Sequence, residues 1–147
     1  MKLMVDVLKP ENKANPSRPL TRLAAVRANY ARMSARRKER DAGWHAARRA
    51  LCTLPCDADG RVAFVPRGYR IIWPYKTRTW MPDVDNVVAR CKSVLDGCAM
   101  AFNINDRDLE LRGVQRRLLK KGDTSGLDDR RLYIEFDDDM EGGAAHE

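Results

Sequence analysis

Two aspartates separated by one residue mark the stretch WMPDVDNVVARCKSVLDG at positions 80–97. Asp83 and Asp85 point to the same side if this segment is extended at the end of a strand. Two ionised carboxylates aimed at one point repel each other, and a divalent cation between them offsets the repulsion. Because the ligands are all oxygens, the pattern favours a hard ion, Mg2+, with Mn2+ as a substitute. Asp85 or Asn86 would also be the N-cap of the helix that follows.

A third carboxylate follows this helix in the stretch FNINDRDLEL. A helix of about 17 residues is roughly 25 Å long, so its far end cannot touch its own start. Asp106 can therefore join Asp83 only if the next strand pairs beside the strand that leads to Asp83. This sheet topology is predicted, and it makes Asp106 the third acid of the site.

Lys92 lies seven residues after Asp85, which is two helical turns along the same face. Asp96 follows Lys92 at i+4, where its carboxylate can hold the ammonium in place. A lysine that reaches a carboxylate–metal cluster can neutralise the charge that builds on a phosphate under attack. A plainer alternative stays open at both places. The two aspartates would then only cap a helix, and Lys92 and Asp96 would form an ordinary surface ion pair.

The order of apolar patterns predicts a single α+β domain with a mostly antiparallel or mixed sheet packed by helices. The domain is expected to span residues 1–136, followed by an acidic, disordered tail at 137–147. Helices are predicted at 20–51, Arg-rich and either continuous or broken near 41–43, and at 86–102; strands are predicted at 3–8, 61–65, 69–76, 109–121 and 130–136, with a bulge at Gly113.

The net charge of the chain is +7 at neutral pH, and it is unevenly distributed. Ten arginines and lysines lie between residues 16 and 50 against two acids, whereas six acids and no lysine or arginine lie between Glu135 and the last residue. Without that acidic end the body carries about +13, which indicates a polyanionic partner such as nucleic acid. A solvated helix face with a solubilising tail is the alternative.

Membrane and secretory classes are disfavoured by the sequence. No run approaches the roughly 18 apolar residues of a membrane span. The opening MKLMVDVLKP is predicted to be a strand rather than a signal peptide, because Asp6 interrupts its apolar run. We therefore expect a cytoplasmic protein with no membrane partner. The four cysteines are expected to be buried free thiols, since Cys52 and Cys56 lack further ligands at zinc spacing.

The run DVDN-x5-K-x3-DG, followed by IND at 104–106, resembles the signature of the RusA family of Holliday-junction resolvases, small phage and prophage endonucleases. The resemblance covers about residues 69–136, from YRIIWPYKTRTWMPDVDN to the closing RRLYIEF. Two positions depart from the family pattern. The lysine follows the asparagine by six residues instead of three, and Asn105 replaces one acid of the third site.

The resemblance implies a Mg2+-dependent, structure-selective DNA endonuclease that resolves four-way junctions, encoded by a phage or prophage. It implies that Asp83, Asp85 and Asp106 are the metal-binding catalytic acids and that Lys92 is the essential lysine. Because resolution needs two symmetric nicks and each chain offers one site, a homodimer is expected. Branched DNA is the expected partner, with no small-molecule cofactor. Two alternatives stay open: a nuclease for other branched or flapped DNA, and a catalytically silent phage DNA-binding protein of the same fold.

Two sets of residues follow from these expectations. Phosphate contacts are expected from basic residues of the long helix and of the strands, which position DNA without reading its sequence. The dimer interface is expected to be apolar. The phosphate-binding candidates are Arg36, Arg37, Lys38, Arg70, Lys76, Arg78, Arg116 and Arg117, and the interface candidates are Trp73, Trp80, Met100 and Phe102.

Overall fold

Four strands in one mixed sheet and two long helices form the fold, in a computed structural model that describes residues 1–10, 21–77 and 81–139. The elements are β1 (Lys2–Leu8), α1 (Arg22–Leu51), β2 (Gly68–Tyr75), α2 (Val84–Phe102), a 3-10 turn (Asp106–Asp108), β3 (Glu110–Leu118) and β4 (Arg131–Asp137). The strand order is β1-β4-β2-β3. β4 pairs antiparallel with β1 and β2, whereas β2 and β3 are parallel. The predicted α+β class with a mixed sheet is confirmed.

One face of the sheet carries the core, and the helices cover it. Leu3, Val5 and Val7 of β1 are buried, while the residues between them are exposed. This period of two is the pattern of a strand that is buried on one face. The opposite face is open and carries cross-strand ion pairs, such as Lys2 with Glu135 at 2.9 Å. The fold therefore has two layers, the sheet and the pair of helices.

The two helices cross at two glycines, one on each helix. A Cβ on Gly43 would lie 2.2 Å from the carbonyl oxygen of Val94, and a Cβ on Gly97 would lie 1.9 Å from that of Arg40. Both distances are too short for any side chain, so only glycine lets the two backbones approach this closely. α1 continues through Gly43 as one helix. These two contacts fix the point along each helix at which α1 and α2 cross.

The segment 61–65 is not a strand, contrary to the sequence prediction. Its residues alternate in burial, and Phe64 packs edge-on against Phe102 with ring centroids 6.0 Å apart. Neither edge of β2 is open to it, because β4 and β3 occupy both. The alternation therefore reflects burial on one side of an extended segment, without strand pairing.

The last strand extends one residue past the expected domain boundary, since Asp137 belongs to β4 and is buried. Its carboxylate forms an ion pair with Arg112, whose side chain is also buried. Asp138 lies 2.5 Å from the N-terminal ammonium of Met1. Residues 137–139 are thus part of the domain rather than of the expected disordered tail, and the remainder of that tail lies outside the described residues.

Two of the four interface candidates lie in the core. Trp73 is 2% exposed and Phe102 is 8% exposed. The guanidinium of Arg90 lies 4.8 Å from the centroid of the Trp73 ring, a cation–π contact that covers the indole further. Met100 is exposed, and Trp80 lies outside the described residues. The buried tryptophan and phenylalanine stabilise the monomer and cannot also form an interface.

The first half of α1 exposes a row of large apolar side chains, Leu23, Val26, Tyr30 and Met33, which we call the α1 stripe. Their exposed fractions are 46–70%. The spacing of three, four and three residues matches heptad positions a and d, the seam of a coiled coil. The buried residues of α1 all lie at or beyond Gly43, so none of the residues that the structure describes covers the apolar face of the first half of α1. No helix in the described ranges combines the length and the apolar character needed to cross a membrane.

Candidate active-site groove

An open groove lies beside the C-terminal half of α2, between α1 and the segment that leads into β3. Its volume is about 1020 Å³, and we call it the α2 groove. Two predicted site residues, Lys92 and Asp106, meet here. The polar and charged side chains that line the α2 groove are Arg40, Lys92, Asp96, Asn103, Asn105, Asp106 and Asp108.

Lys92 lies between two carboxylates in the α2 groove. Its Nζ is 3.8 Å from Oδ1 of Asp96 and 3.5 Å from Oδ2 of Asp106. The first pair is the predicted i+4 contact within α2, whereas the second joins α2 to the segment before β3. The lysine is exposed, so each of these pairs contributes little to stability by itself. Their importance is geometric, because one cation brings two carboxylates to the same place.

The turn after α2 brings Asp106 back beside the helix. Asn103 ends α2 in the left-handed conformation, with φ 56° and ψ 43°, and its backbone N–H donates to the last helical turn. Asparagine tolerates this conformation better than most residues. The side chain of Asn105 then accepts a hydrogen bond from Arg107 N at the start of the 3-10 turn. This reversal places Asp106 beside Lys92 before β3 begins.

Asp106 does not meet Asp83, because β2 and β3 run parallel. β3 does pair beside β2, as the sequence predicts, with Gly68 opposite Glu110. In a parallel pair both strands begin at the same end of the sheet. Asp106 therefore lies near the start of β2, whereas the chain leaves β2 at Tyr75 and reaches Asp83 from the opposite end.

Asp83 and Asp85 lie at the N-terminal end of α2, in a geometry that differs from the predicted one. Asp83 is the N-cap, rather than Asp85 or Asn86, and its side chain makes no capping hydrogen bond. Asp85 is already in the first helical turn. Since β2 ends well before this point, the two carboxylates do not share the direction of an extended segment. Asn86 Oδ1 is buried nearby and has no hydrogen-bond partner in the described part of the chain.

The three predicted metal ligands are not gathered in one chain. Asp85 and Asp83 precede Lys92 by seven and nine residues, or about 10 and 13 Å along the helix axis, and Asp106 lies beside Lys92. Mg2+ holds its ligands at about 2.1 Å. Within residues 1–10, 21–77 and 81–139, no three or more His, Cys, Asp or Glu side chains form a group that could hold a metal ion. The oxygens suit Mg2+ in type, but their placement in a single chain does not fit it.

Burial raises the pKa of Asp96 above its ordinary value. The cations Lys92 and Arg40 act in the opposite direction, and the neighbouring Asp106 carboxyl adds to the rise. Asp96 and Asp106 are thus close enough to interact, and each is influenced by the same lysine. A carboxyl in this position can accept a proton more readily than a carboxyl free in water.

A smaller cavity of about 190 Å³ borders the sheet. Lys92, Asp96 and Asp106 line both this cavity and the α2 groove, while Tyr69 and Leu109 line only the smaller one. Burial raises the pKa of Tyr69, and Asp106 contributes to the increase. Tyr69 is therefore a neutral phenol at neutral pH. Lys92, Asp96 and Asp106 lie where this smaller, more apolar cavity meets the polar α2 groove.

The predicted phosphate-binding residues lie on separate surfaces. Arg36, Arg37 and Lys38 are exposed on α1. Arg70 is exposed on the open face of the sheet, with Nη1 3.9 Å from the carboxylate of Glu135. The core side of the sheet separates Arg70 from the helices, so the structure does not bring it to the α2 groove.

The remaining basic candidates lie toward the other end of the sheet. Lys76 Nζ is 3.4 Å from a carboxylate of the loop before β4. Arg116 Nη1 donates to the carbonyl oxygen of Pro82 at 3.4 Å, next to Asp83 rather than beside the α2 groove. Arg117 is half-buried on β3, and Arg78 lies outside the described residues.

Asp96 and Arg40 line the α2 groove but do not belong to the predicted site. The sequence assigns Asp96 only the role of holding Lys92, although the fold also sets it against Asp106. Its i+4 spacing is the one local signal that points to it. Arg40 has no local signal, because the crossing of α1 and α2 alone brings it to this groove.

No protein-family model matches the chain, and the same holds for the curated proteins and the solved structures compared with it. The likeness to the RusA family therefore rests on the motif from Asp83 to Asp106 and its flanking strands.

Proposed function

We propose that the chain is a structure-selective DNA endonuclease that resolves four-way junctions. The observation that carries the proposal is the position of Lys92 between Asp96 and Asp106 in an open groove. The α2 groove is accessible to a DNA backbone, and the exposed cations of α1 lead toward it. A protein with a basic body and this group of charges is suited to bind a phosphate and to act on it.

Three charged residues of the α2 groove have a chemical role in this proposal. Lys92 stabilises the negative charge that develops on the phosphate oxygens. Asp106, which is exposed in the groove, or Asp96 beside it accepts a proton from the attacking water. Water adds to phosphorus and the bond to the 3′ oxygen breaks, which leaves a 5′-phosphate and a 3′-hydroxyl. The proton returns to the departing 3′ oxygen.

A requirement for Mg2+ is part of the proposal, and it rests on the motif and on the oxygen chemistry of Asp83, Asp85 and Asp106. The chemistry assigned to the α2 groove does not depend on the ion, because these carboxylates do not come together in one chain. If they held Mg2+, the ion would supply Lewis acidity to the phosphate. Binding of Mn2+, followed by electron paramagnetic resonance, would measure this part independently of cleavage.

The homodimer remains part of the proposal, and the α1 stripe is the surface that supports it. Four apolar side chains at a and d spacing are exposed together, and a second copy of α1 would cover them. Arg22, Arg27 and Arg36 flank the stripe and oppose pairing with an identical helix. We therefore expect a dimer that is weak at low salt and that associates more strongly when the arginines are screened.

A catalytically silent DNA-binding protein of the same fold is the second candidate. The separation of Asp83 and Asp85 from Asp106 favours it. A nuclease that needs all three carboxylates on one ion would not leave Asp83 and Asp85 about 10 Å or more along α2 from Lys92, which contacts Asp106. A nuclease for other branched or flapped DNA is the third candidate and uses the same α2 groove. It differs from the junction resolvase in the DNA structure that it prefers to cut, and not in the chemistry of the groove.

The test is incubation of the protein with a labelled synthetic four-way junction, with and without Mg2+. A linear duplex and a flapped duplex of the same sequence serve as controls. Paired nicks in the junction alone support the resolvase. Cleavage of the flap instead supports the broader nuclease, and binding without any cleavage supports the silent DNA-binding protein.

A further inference from the structure

The glycine crossing of the two helices fixes one arginine at the α2 groove. Gly97 of α2 lies against the carbonyl oxygen of Arg40, at a distance that excludes a side chain. Gly97 directly follows Asp96 in sequence, so the same contact sets the carboxylate of Asp96 next to the turn that carries Arg40. This backbone contact is rigid, because each helix moves as a unit and the two backbones are closely packed.

Two cations from different helices therefore lie in the same groove. Lys92 Nζ lies 3.8 Å from Asp96, and Arg40 of α1 lines the α2 groove together with Lys92 and Asp96. Both side chains are exposed and line the α2 groove. A guanidinium and an ammonium that line one groove from two helices can both bind the same phosphate.

We propose that Arg40 and Lys92 form a clamp for a single phosphodiester group of DNA, and that Asp96 holds Lys92 in position. On binding, the phosphate oxygens replace part of the contact that Lys92 makes with Asp96. Arg36 lies one helical turn before Arg40 and is exposed on α1. It can therefore bind a neighbouring phosphate of the same DNA strand. This inference rests on the proposed function and names the residue that seats its substrate.

A simpler role for Arg40 is to offset the charge of Asp96 and nothing more. The two roles differ in what a neutral side chain does to DNA binding. A phosphate contact adds to the affinity and to its dependence on salt, because each contact releases a counterion. An arginine that only offsets Asp96 has no effect on the salt slope, and its loss appears in stability instead.

The test is the affinity of a labelled four-way junction, measured by fluorescence anisotropy between low and physiological salt without divalent cations. Arg40→Gln is compared with Arg49→Gln, which removes the same charge from the same helix. Arg49 is nine residues further on, or two and a half turns, and so faces the opposite side of α1. We expect Arg40→Gln to weaken binding roughly tenfold and to reduce the salt slope by about one. Arg49→Gln should change the affinity less than about twofold.

Arg40→Lys is the control for a folding defect in Arg40→Gln, because it keeps the positive charge at the helix crossing. We expect it to recover most of the affinity and the full salt slope. Equal effects of Arg40→Gln and Arg49→Gln would overturn the clamp, and so would a loss of thermal stability in Arg40→Gln with no change in the salt slope.

The readout also separates this inference from the proposed function. Binding is measured without cleavage and without a metal ion. If the protein never cuts DNA but Arg40→Gln still lowers the affinity and the slope, the clamp stands and the nuclease proposal falls. If the protein cuts junctions while Arg40→Gln behaves like Arg49→Gln, the clamp alone falls.

Discussion

Lys92 Nζ lies 3.5 Å from Oδ2 of Asp106, although 14 positions separate the two residues in sequence. The contact joins α2 to the segment that enters β3, and it exists because Asn103 reverses the chain in the left-handed conformation. Of the four predicted catalytic residues, Lys92 and Asp106 are the two that the fold brings into contact. The pair divides the predicted site into a groove part, at Lys92 and Asp106, and a helix-start part, at Asp83 and Asp85.

Asp83→Asn separates a catalytic role from a structural role at the start of α2. The side chain makes no capping hydrogen bond, so its loss should change the free energy of unfolding by less than about 1 kcal/mol. If the proposed function holds, junction cleavage should be abolished while junction binding is retained or strengthened, because a charge that repels DNA is gone. Cleavage and anisotropy assays check this, with Asp59→Asn in an exposed turn as the control. Parallel losses of binding and cleavage would indicate a structural Asp83.

Asp96 should make stability depend on pH in a defined direction. Its pKa in the folded protein is raised above the ordinary 3.8, chiefly by burial, so the native state holds the proton more tightly than the unfolded state. The stabilisation from this group is complete below 3.8 and is lost as pH rises through the folded pKa. Asp96→Asn should therefore be less pH-dependent than the wild type across this window, as measured by urea unfolding.

The same group can be followed directly by the NMR titration of its carboxyl carbon. Asp106→Asn should lower the pKa of Asp96, because it removes a neighbouring carboxyl that raises it. Lys92→Met should raise the pKa of Asp96 further, because it removes a favourable cation. Shifts of the opposite sign would contradict the arrangement of the three groups.

Local patterns were sufficient to predict the strands at both ends of the chain and both helices. The period of two in LMVDVL and the apolar row of α2 depend on short-range geometry, which a sequence carries. The segment 61–65 has the same period but pairs with no strand among the described residues. Whether an extended segment joins a sheet depends on residues far away in the sequence.

The candidate site was predictable in part for the same reason. The i+4 pair of Lys92 and Asp96 is local, and it is present. The prediction that β3 lies beside β2 is also confirmed. The predicted contact of Asp106 with Asp83 is not found, because it required the end of β2 and the start of β3 to lie at the same end of the sheet. A parallel pair cannot meet this requirement. Arg40 reaches the groove through a helix crossing that depends on two glycines 54 positions apart. The spacing of residues in the sequence does not predict such a contact.

Gly97→Ala tests the crossing that carries the proposed clamp. Alanine is normally the better helix former by about 1 kcal/mol, so an ordinary site in α2 would gain stability. At Gly97 the added Cβ would lie 1.9 Å from a backbone oxygen, and the helices would have to separate, at a cost of about 1–3 kcal/mol. Chemical denaturation should show a net loss. Ala89→Gly on the exposed side of α2 is the control for propensity, and a stabilised Gly97→Ala protein would refute the close crossing.

Asp137→Ala should be strongly destabilising, although the sequence places Asp137 in an acidic tail. Its side chain is 10% exposed and pairs with Arg112, which is 7% exposed. Breaking such a buried pair typically costs about 3–5 kcal/mol. Asp138→Ala, which removes an exposed contact with the N-terminus, should cost less than about 1 kcal/mol. Equal effects of the two alanine variants would argue against a structural role for Asp137.

The α1 stripe should control self-association, with a dependence on salt opposite to that of DNA binding. Light scattering is expected to detect a mass approaching twice 16.8 kDa as salt screens the flanking arginines, whereas affinity for a junction should fall over the same range. Replacing Tyr30 and Met33 with serine should leave a monomer of unchanged thermal stability, since both side chains are exposed. Met4→Ser, at an exposed position on the open face of the sheet, is the matched control. A serine variant that still dimerises would place the interface elsewhere, and a wild-type monomer at every salt concentration that makes paired cuts would exclude the dimer.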